Sequence, residues 1–406
     1  MDDAMRFWLD LGVDGFRIDA LPFLFEVPHD EMVDKNETSP SPYWPEANLN
    51  TNDYEYWLHP YTRNVDPIFE VIKNWTRIMD DYSSKSEKKE PKLLILEVVD
   101  KNSSQLVKYY PEDPFGTGAM PFYMGLIFMT DQTDGFAVQK LVEENLDMLP
   151  KGAWPNWVIG NHDQRRATGR LGNKDFVDGL NILNLLLPGI PTTYYGEEIG
   201  MRDTLINSRE EVKDPQGCNF GDEWAKKTRD YCRSPMQWDS HNTSAGFSTN
   251  VTTWLPLAPD WNNTINVEYQ TSKSSNQTHY SVFKRLIQIR GTPAFQSGTF
   301  RHALVTRDIY SFVRESGEQS YLIALDMRRN SSGDPSKDRV KYDFTGGAAK
   351  LTGKGRVVTA SVNLYPKGGA PAPENSIASY GTTEEINLTS VELIPASAVV
   401  LRITPA

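Results

Sequence analysis

Asp19, Glu97 and Asp163 are the residues of this chain best placed by type and spacing to do chemistry. Each closes a short apolar stretch: Val13-Asp14-Gly15-Phe16-Arg17-Ile18 runs into Asp19, Lys92-Leu93-Leu94-Ile95-Leu96 into Glu97, and Trp157-Val158-Ile159-Gly160 into Asn161-His162-Asp163. Such stretches read as short buried strands, and the carboxyl end of a strand in a parallel βα array is where barrel enzymes place reacting groups. Three carboxylates at one mouth suit cleavage of a glycosidic bond with retention. One attacks the anomeric carbon, a second protonates the leaving oxygen and later activates water, and the third stabilises positive charge on the ring. Arg17, two residues before Asp19, has the planar fork that holds a neighbouring carboxylate ionised and fixed in direction. His162 can hydrogen-bond a sugar hydroxyl. Plainer readings stand beside these: an Arg17–Asp19 pair that only ties a strand end, Glu97 as a helix cap, and Asn161-His162-Asp163 as a turn bonded to its own backbone.

The elements that must position these residues alternate along the chain. A helix is expected over residues 2–11 with Ala4, Phe7, Trp8 and Leu11 on its inward stripe, stopped by Gly12 and followed by the 13–19 strand. A long Pro- and Asn-containing loop covers 21–64, and helical spacing returns over 66–82 through Ile68, Phe69, Ile72, Trp75 and Met79. Then come a strand at 92–97, a helix at 103–110, a core strand at 120–129, a helix at 135–149 with Phe136, Leu141, Val142 and Leu146 inward, a strand at 157–160, a helix at 175–187 and a strand at 189–195. That order is βαβαβαβαβ, hence an α/β chain with a parallel sheet. Residues 202–279 form a polar insertion, and residues 280–290 a last helix. From about residue 295 only short alternating runs such as Ile309-Tyr310-Ser311-Phe312-Val313 and Ala398-Val399-Val400-Leu401 remain, the pattern of an antiparallel β-sandwich. The expected domains are therefore 1–294, with inserted loops at 21–64 and 202–279, and 295–406.

Composition narrows the function classes. With 406 residues, 39% of them hydrophobic, the chain can bury a large core. A net charge of -12 without a basic cluster excludes a nucleic-acid partner, and no apolar run is long enough to span a membrane. His29, His59, His241, His279 and His302 lack ligand-like spacing, so no zinc site is expected. Glu197-Glu198 reads as a solvated helix start and is left out of the catalytic set. Asn-X-Ser/Thr acceptors at Asn36, Asn74, Asn102, Asn242, Asn250, Asn262, Asn276, Asn330 and Asn387 favour the secretory route. In that compartment the two cysteines, Cys218 and Cys232, are expected to close a loop by a disulfide rather than stay as free thiols. Tyr43, Trp44, Tyr54 and Trp57 are candidates for stacking on sugar faces and equally for loop packing.

At this point the motifs resemble those of a known family. Gly15-Phe16-Arg17-Ile18-Asp19-Ala20, Ile95-Leu96-Glu97 and Asn161-His162-Asp163-Gln164 are similar to three conserved regions of the α-amylase superfamily, glycoside hydrolase family 13. Tyr195-Gly196-Glu197-Glu198-Ile199-Gly200-Met201 and Pro235-Met236-Gln237-Trp238-Asp239 resemble its oligosaccharide-cleaving α-glucosidase branch. Asn52-Asp53-Tyr54, the cysteine region and the sequons resemble secreted insect-type maltases. The resemblance implies Asp19 as nucleophile, Glu97 as acid/base and Asp163 as the carboxylate that stabilises the transition state. It implies Arg17 and His162 as ligands of the sugar or of the nucleophile, Arg229 as an arginine that binds the terminal glucose, and, through the small Ala20, a preference for α-1,4 links. The implied substrates are maltose, sucrose and short oligosaccharides. No cofactor is implied, and calcium is not indicated.

Two departures qualify what the resemblance implies. The family's barrel opens with three strand–helix units and an inserted small domain that this sequence does not show, nor does it show a signal-like leader. The expectation is therefore a partial TIM (β/α)8 barrel, strands 4 to 8, followed by the all-β domain, with little or no activity in the chain as given. Val98-Val99 also replaces the Ala-aromatic pair expected after the acid/base. Two non-catalytic classes stay open, a sugar-binding or receptor protein and an ectodomain like the heavy subunits of amino-acid transporters. Retention of all three carboxylates disfavours both.

Overall fold

The structure, a computed structural model, describes residues 1–28, 51, 54–86, 90–100, 103–111, 118–272, 277–329, 332, 335–365 and 385–404. It divides into two compact units, Met1–Gly125 with Glu143–Asn156, and Leu126–Val142 with Trp157–Ala406.

In the first unit, helix α1 (Asp2–Asp10) is followed by strand β1 (Gly15–Ile18), helix α2 (Pro67–Lys85), strand β2 (Leu93–Leu96) and strand β3 (Gly118–Pro121). The strands form one parallel sheet in the order β1-β2-β3. Helix α2 starts on Pro67, whose missing N–H costs nothing in a first turn, and buries Ile68, Ile72, Trp75 and Met79 as expected. Helix α1 is rotated from the predicted orientation. Met5 and Leu9 are buried, while Phe7, Trp8 and Leu11 are 57%, 51% and 64% exposed. The cause is polar: the Asp2 carboxylate accepts from Asn74 Nδ2 at 2.7 Å and Trp75 Nε1 at 3.1 Å, and Asp10 accepts from the Tyr82 hydroxyl at 2.6 Å. Tethered at both ends to α2, α1 turns the face carrying Met5 and Leu9 inward.

Strand β1 pairs with β2 from Gly15↔Leu93 to Ile18↔Leu96, and β2 with β3 from Leu93↔Gly118 to Leu96↔Pro121. Gly15 is required by close approach, since a Cβ there would lie 2.2 Å from the Leu93 carbonyl oxygen. The strand predicted over 120–129 is shorter and earlier. Pro121 has no N–H to continue the ladder, and a single turn over Gly125–Phe128 follows. Asn156 closes this region, its amide donating to the Pro121 carbonyl at 2.6 Å and accepting from Tyr123 N at 2.7 Å.

The second unit takes up the chain with helix α3 (Gly135–Met148), through which the division passes. Val138 and Val142 are fully buried there, whereas Phe136 is 55% exposed, against expectation. Strands β4 (Asn156–Val158) and β5 (Ile190–Thr192) pair with each other. Between them helix α4 (Val177–Leu186) is buried on every side. Helix α5 (Pro215–Asn219) lies in the polar insertion, and helix α6 (His279–Arg290) starts on a reciprocal cap between Thr278 and Ser281.

Strands β6 (Thr299–His302), β7 (Ile309–Ser316), β8 (Gln319–Asp326), β9 (Val340–Tyr342), β10 (Lys354–Ala360), β11 (Glu385–Asn387), β12 (Val391–Leu393) and β13 (Ala398–Ile403) make the antiparallel region expected after residue 295. Six of them form one sheet in the order β11-β10-β13-β8-β7-β6, and β12 pairs with β9. Ile309, Val313, Leu322, Phe344, Leu393 and Leu401 share its core. Two buried polar ties join this sheet to the helices. Asp178 of α4 accepts from Val362 N at 2.8 Å and pairs with His279 Nδ1 at 2.8 Å, and Arg314 donates to the Leu186 and Phe295 carbonyls at 3.2 Å each.

Candidate active site

The in-register pairing of β1 with β2 sends Asp19 and Glu97 out of the same end of the sheet, because each follows directly after the Ile18↔Leu96 pair. Arg17 reaches both. One guanidinium nitrogen, Nη1, donates to Asp19 Oδ1, and the other, Nη2, lies 2.9 Å from Glu97 Oε2. Ala20, held at φ 45, turns its backbone N–H back to donate to the same Glu97 oxygen at 2.9 Å. The two carboxyl groups thus share one cation at one strand end.

Their surroundings differ. The Glu97 side chain is 11% exposed and that of Asp19 74%, so the two carboxylates at this strand end differ sharply in burial. β1 is the outer strand of its sheet among the described residues, which leaves Asp19 open on that side. Burial raises the Glu97 pKa; the Ala20 N–H and the Arg17 charge oppose this, while Asp19 adds to it, and the net direction is up. A carboxyl whose burial tightens its hold on a proton, beside an exposed carboxylate, suits the division of labour that acid-assisted displacement requires.

Asp163 heads a second cluster. Its N–H donates to Asn161 Oδ1 at 2.9 Å, so the turn reading describes Asn161 but not the Asp163 side chain. Its Oδ1 accepts from Arg229 Nη1 at 3.0 Å and from Arg233 Nη2 at 2.9 Å, and its Oδ2 lies 3.3 Å from His162 Nε2. Arg233 also donates through Nε to the His162 carbonyl at 2.6 Å. Sequence reasoning missed Arg233, although the signal was present: one turn separates it from Arg229, over Asp230–Cys232, so both guanidinium groups can reach one side. The six predicted polar residues therefore fall into two groups, Arg17, Asp19 and Glu97 in the first unit and His162, Asp163 and Arg229 in the second.

Two other expectations are corrected. Cys218 and Cys232 are free thiols. The Cys232 sulfur is buried against the Arg229 and His162 carbonyls at 3.2 and 3.5 Å, and the exposed Cys218 leans toward the Val212 carbonyl at 3.7 Å, so each thiol is engaged by a different part of the backbone. Glu197 is not a solvated helix start. Its carboxylate accepts from Tyr194 N at 3.1 Å and fills the space beside Gly160, where a Cβ would lie 2.2 Å from Oε1. Burial drives its pKa up to about 7 against the pull of Arg166.

Tyr54 is stacked on His59 with centroids 3.6 Å apart, and Trp57 donates to the Thr51 carbonyl, so both have intramolecular partners. Tyr43, Trp44, His29 and the sequons at Asn36, Asn102, Asn276 and Asn330 lie outside the described residues. Of the pair after Glu97, Val98 is buried and Val99 is 38% exposed. Among the described residues no group of three or more His, Cys, Asp and Glu side chains is placed to hold a metal ion, and no helix is long and apolar enough to cross a membrane.

Comparison with known proteins bears on these clusters. The family described as "Alpha amylase, catalytic domain" matches residues 1–298. Among curated proteins, Maltase A1 of Drosophila melanogaster is 32% identical over 364 residues, covering 86% of this chain and 59% of its own length. The Alpha-glucosidase of Apis mellifera is 33% identical over 329 residues, covering 80% and 53% respectively. The chain thus spans less than two thirds of the length of these relatives. Among solved structures, the alpha-glucosyl transfer enzyme XgtA superposes with a TM-score of 0.72 at 21% identity, covering 99% of this chain and 66% of that one, a likeness of fold.

Proposed function

Since the chain belongs to the α-amylase catalytic-domain family, we propose that it carries the catalytic apparatus of a retaining α-glucosidase acting on terminal α-1,4-linked glucose of maltose, sucrose or short oligosaccharides. The observation that carries this reading is the Arg17-bridged pair of Asp19 and Glu97 at the end of two parallel strands. Asp19 attacks the anomeric carbon and forms a glucosyl ester while Glu97 gives its proton to the departing glycosidic oxygen. Glu97, now ionised, takes a proton from water, whose oxygen attacks the same carbon and releases Asp19 as a carboxylate. Two inversions leave the configuration retained. Arg17 keeps Asp19 oriented, and the Ala20 N–H fixes the Glu97 oxygen it touches. Asp163 is assigned charge stabilisation and His162 and Arg229 sugar contacts. The family motif and their mutual bonding support these roles.

The reading extends to architecture and location. Residues 1–294 make a barrel portion corresponding to strands 4 to 8, and residues 295–406 an accompanying β-sandwich. The sequons and the insect maltase relatives favour a secreted or cell-surface protein. Assay of maltose and an aryl α-glucoside, with the Asp19→Asn variant as control, tests the activity. Glucose release that Asp19→Asn abolishes supports the proposal. Release unaffected by the substitution rejects it, and turnover as fast as that of a full-length maltase rejects the partial barrel.

A further inference from the structure

We infer that Asp214 is a positioning residue that acts on Asp163 through Arg229; this rests on the glucosidase reading for its consequence but not for its geometry. The Asp214 side chain has no exposed surface, whereas that of Arg229 is 29% exposed. Both Asp214 oxygens grip the same guanidinium: Oδ1 accepts from Nη2 at 2.6 Å and Oδ2 from Nε at 3.0 Å, while Oδ2 also accepts from Arg229 N at 2.8 Å. That leaves Nη1 as the nitrogen that reaches Asp163 Oδ1, at 3.0 Å. A bidentate fork fixes the plane of the guanidinium, and so the direction in which its remaining N–H groups point.

The clamp is itself held. Asp230, also buried, accepts from Lys213 N at 2.7 Å and Asp214 N at 3.1 Å, so the backbone of Asp214 is stitched to the residue next to Arg229. Capping of α5 does not account for the carboxylate. The cap uses one bond, from Gln216 N to Oδ1 at 3.2 Å, which an asparagine oxygen serves equally well, whereas the fork needs two anionic oxygens. Burial works against ionisation of Asp214, but the side-chain and backbone bonds from Arg229 outweigh it and hold the carboxyl at about 2. The bonding is asymmetric, with three contacts from Arg229 to Asp214 and one to Asp163. Asp214 is the anchor and Asp163 the group being positioned.

The test follows the Arg229 Nε–H by NMR in the 406-residue chain with isotope-labelled arginine, the resonance being identified by its loss in Arg229→Lys. Slow solvent exchange is expected in the wild type and in Asp163→Asn, and fast exchange in Asp214→Asn. Protection that survives Asp214→Asn, or that Asp163→Asn removes as completely, overturns the inference. In parallel, kcat/KM for maltose is expected to fall about 10- to 100-fold in Asp214→Asn and in Arg229→Lys, with the double variant no worse than either single one; additive losses are the mark of a cap alone and count against the clamp. If Asp214→Asn does not fold, Asp214→Glu decides: its carboxylate should keep the Nε–H protected, and loss of protection overturns the claim. A wild-type chain with protected Nε–H whose turnover survives Asp19→Asn unchanged defeats the glucosidase reading but not the clamp, and turnover that Asp19→Asn abolishes, with an unprotected Nε–H, does the reverse.

Discussion

Glu97 and Asp19 have the same functional group and different neighbours, and in the proposed mechanism the neighbours assign one to give a proton and the other to attack. For Glu97→Gln, maltose hydrolysis should fall by about 10^2- to 10^4-fold while an aryl α-glucoside with a good leaving group loses far less in its first step, because that oxygen needs no proton. Equal losses on both substrates would argue that Glu97 is not the acid. Arg17 lowers the Glu97 pKa by its charge, in opposition to burial. Replacing it by Met should therefore move the basic limb of the kcat/KM–pH profile upward, and a downward shift would contradict this electrostatic account. At this scale the sequence was informative where bonding is local to a strand end. Arg17 stands two residues from Asp19, and their contact follows from the strand itself. The Asp214 anchor and the free thiols depend on how residues 202–279 fold back, and no periodicity encodes that path.

Elements carry these residues to their places through register. Gly15 lets β1 approach Leu93 closely enough for Ile18 to pair with Leu96, and the cluster begins one residue later. Gly15→Ala should destabilise by about 1–3 kcal/mol and lower activity together with stability, measured as urea unfolding alongside kcat/KM. An unchanged unfolding midpoint would mean that the strand contact is looser than described. The existence and order of most elements were legible from hydrophobic patterning: α2 was expected over 66–82 and runs Pro67–Lys85, and α6 was expected over 280–290 and runs His279–Arg290. Orientation was less so. Periodicity ranked Phe7, Trp8 and Leu11 as the buried stripe of α1, yet hydrogen bonds from Asp2 and Asp10 to α2 set the rotation instead. The 120–129 strand failed for a related reason, since apolar residues continue past Pro121 where the backbone can no longer pair.

The molecule as a whole takes up protons on folding at several buried sites. Glu197 titrates at about 7 and Asp326 at about 6 because burial disfavours their charged forms, and Glu97 moves in the same direction. For these raised acids the folded state binds more protons than the unfolded one, so stability falls as pH rises from the ordinary carboxylate range through the raised values. His279 loses by burial but gains more from Asp178, and its raised pKa gives stability that is present below its ordinary value and lost as pH climbs through the raised one. Asp214, held at about 2, contributes in the opposite sense, and its share disappears only as pH falls from the ordinary carboxylate range toward that value. The expected profile is a maximum on the acid side of neutrality and a Tm that declines from about pH 5 to about pH 8, with Glu197→Gln flattening the decline. A Tm that rises over this interval would contradict the assignment.

The double-displacement chemistry assigned to Asp19 and Glu97 has one direct readout, the anomer of glucose that first leaves the enzyme. Proton NMR of the early time course with an aryl α-glucoside, which releases a single glucose, should show α-glucose appearing before mutarotation brings up the β form; β-glucose as the first glucose released would show that water, and not Asp19, attacks the anomeric carbon.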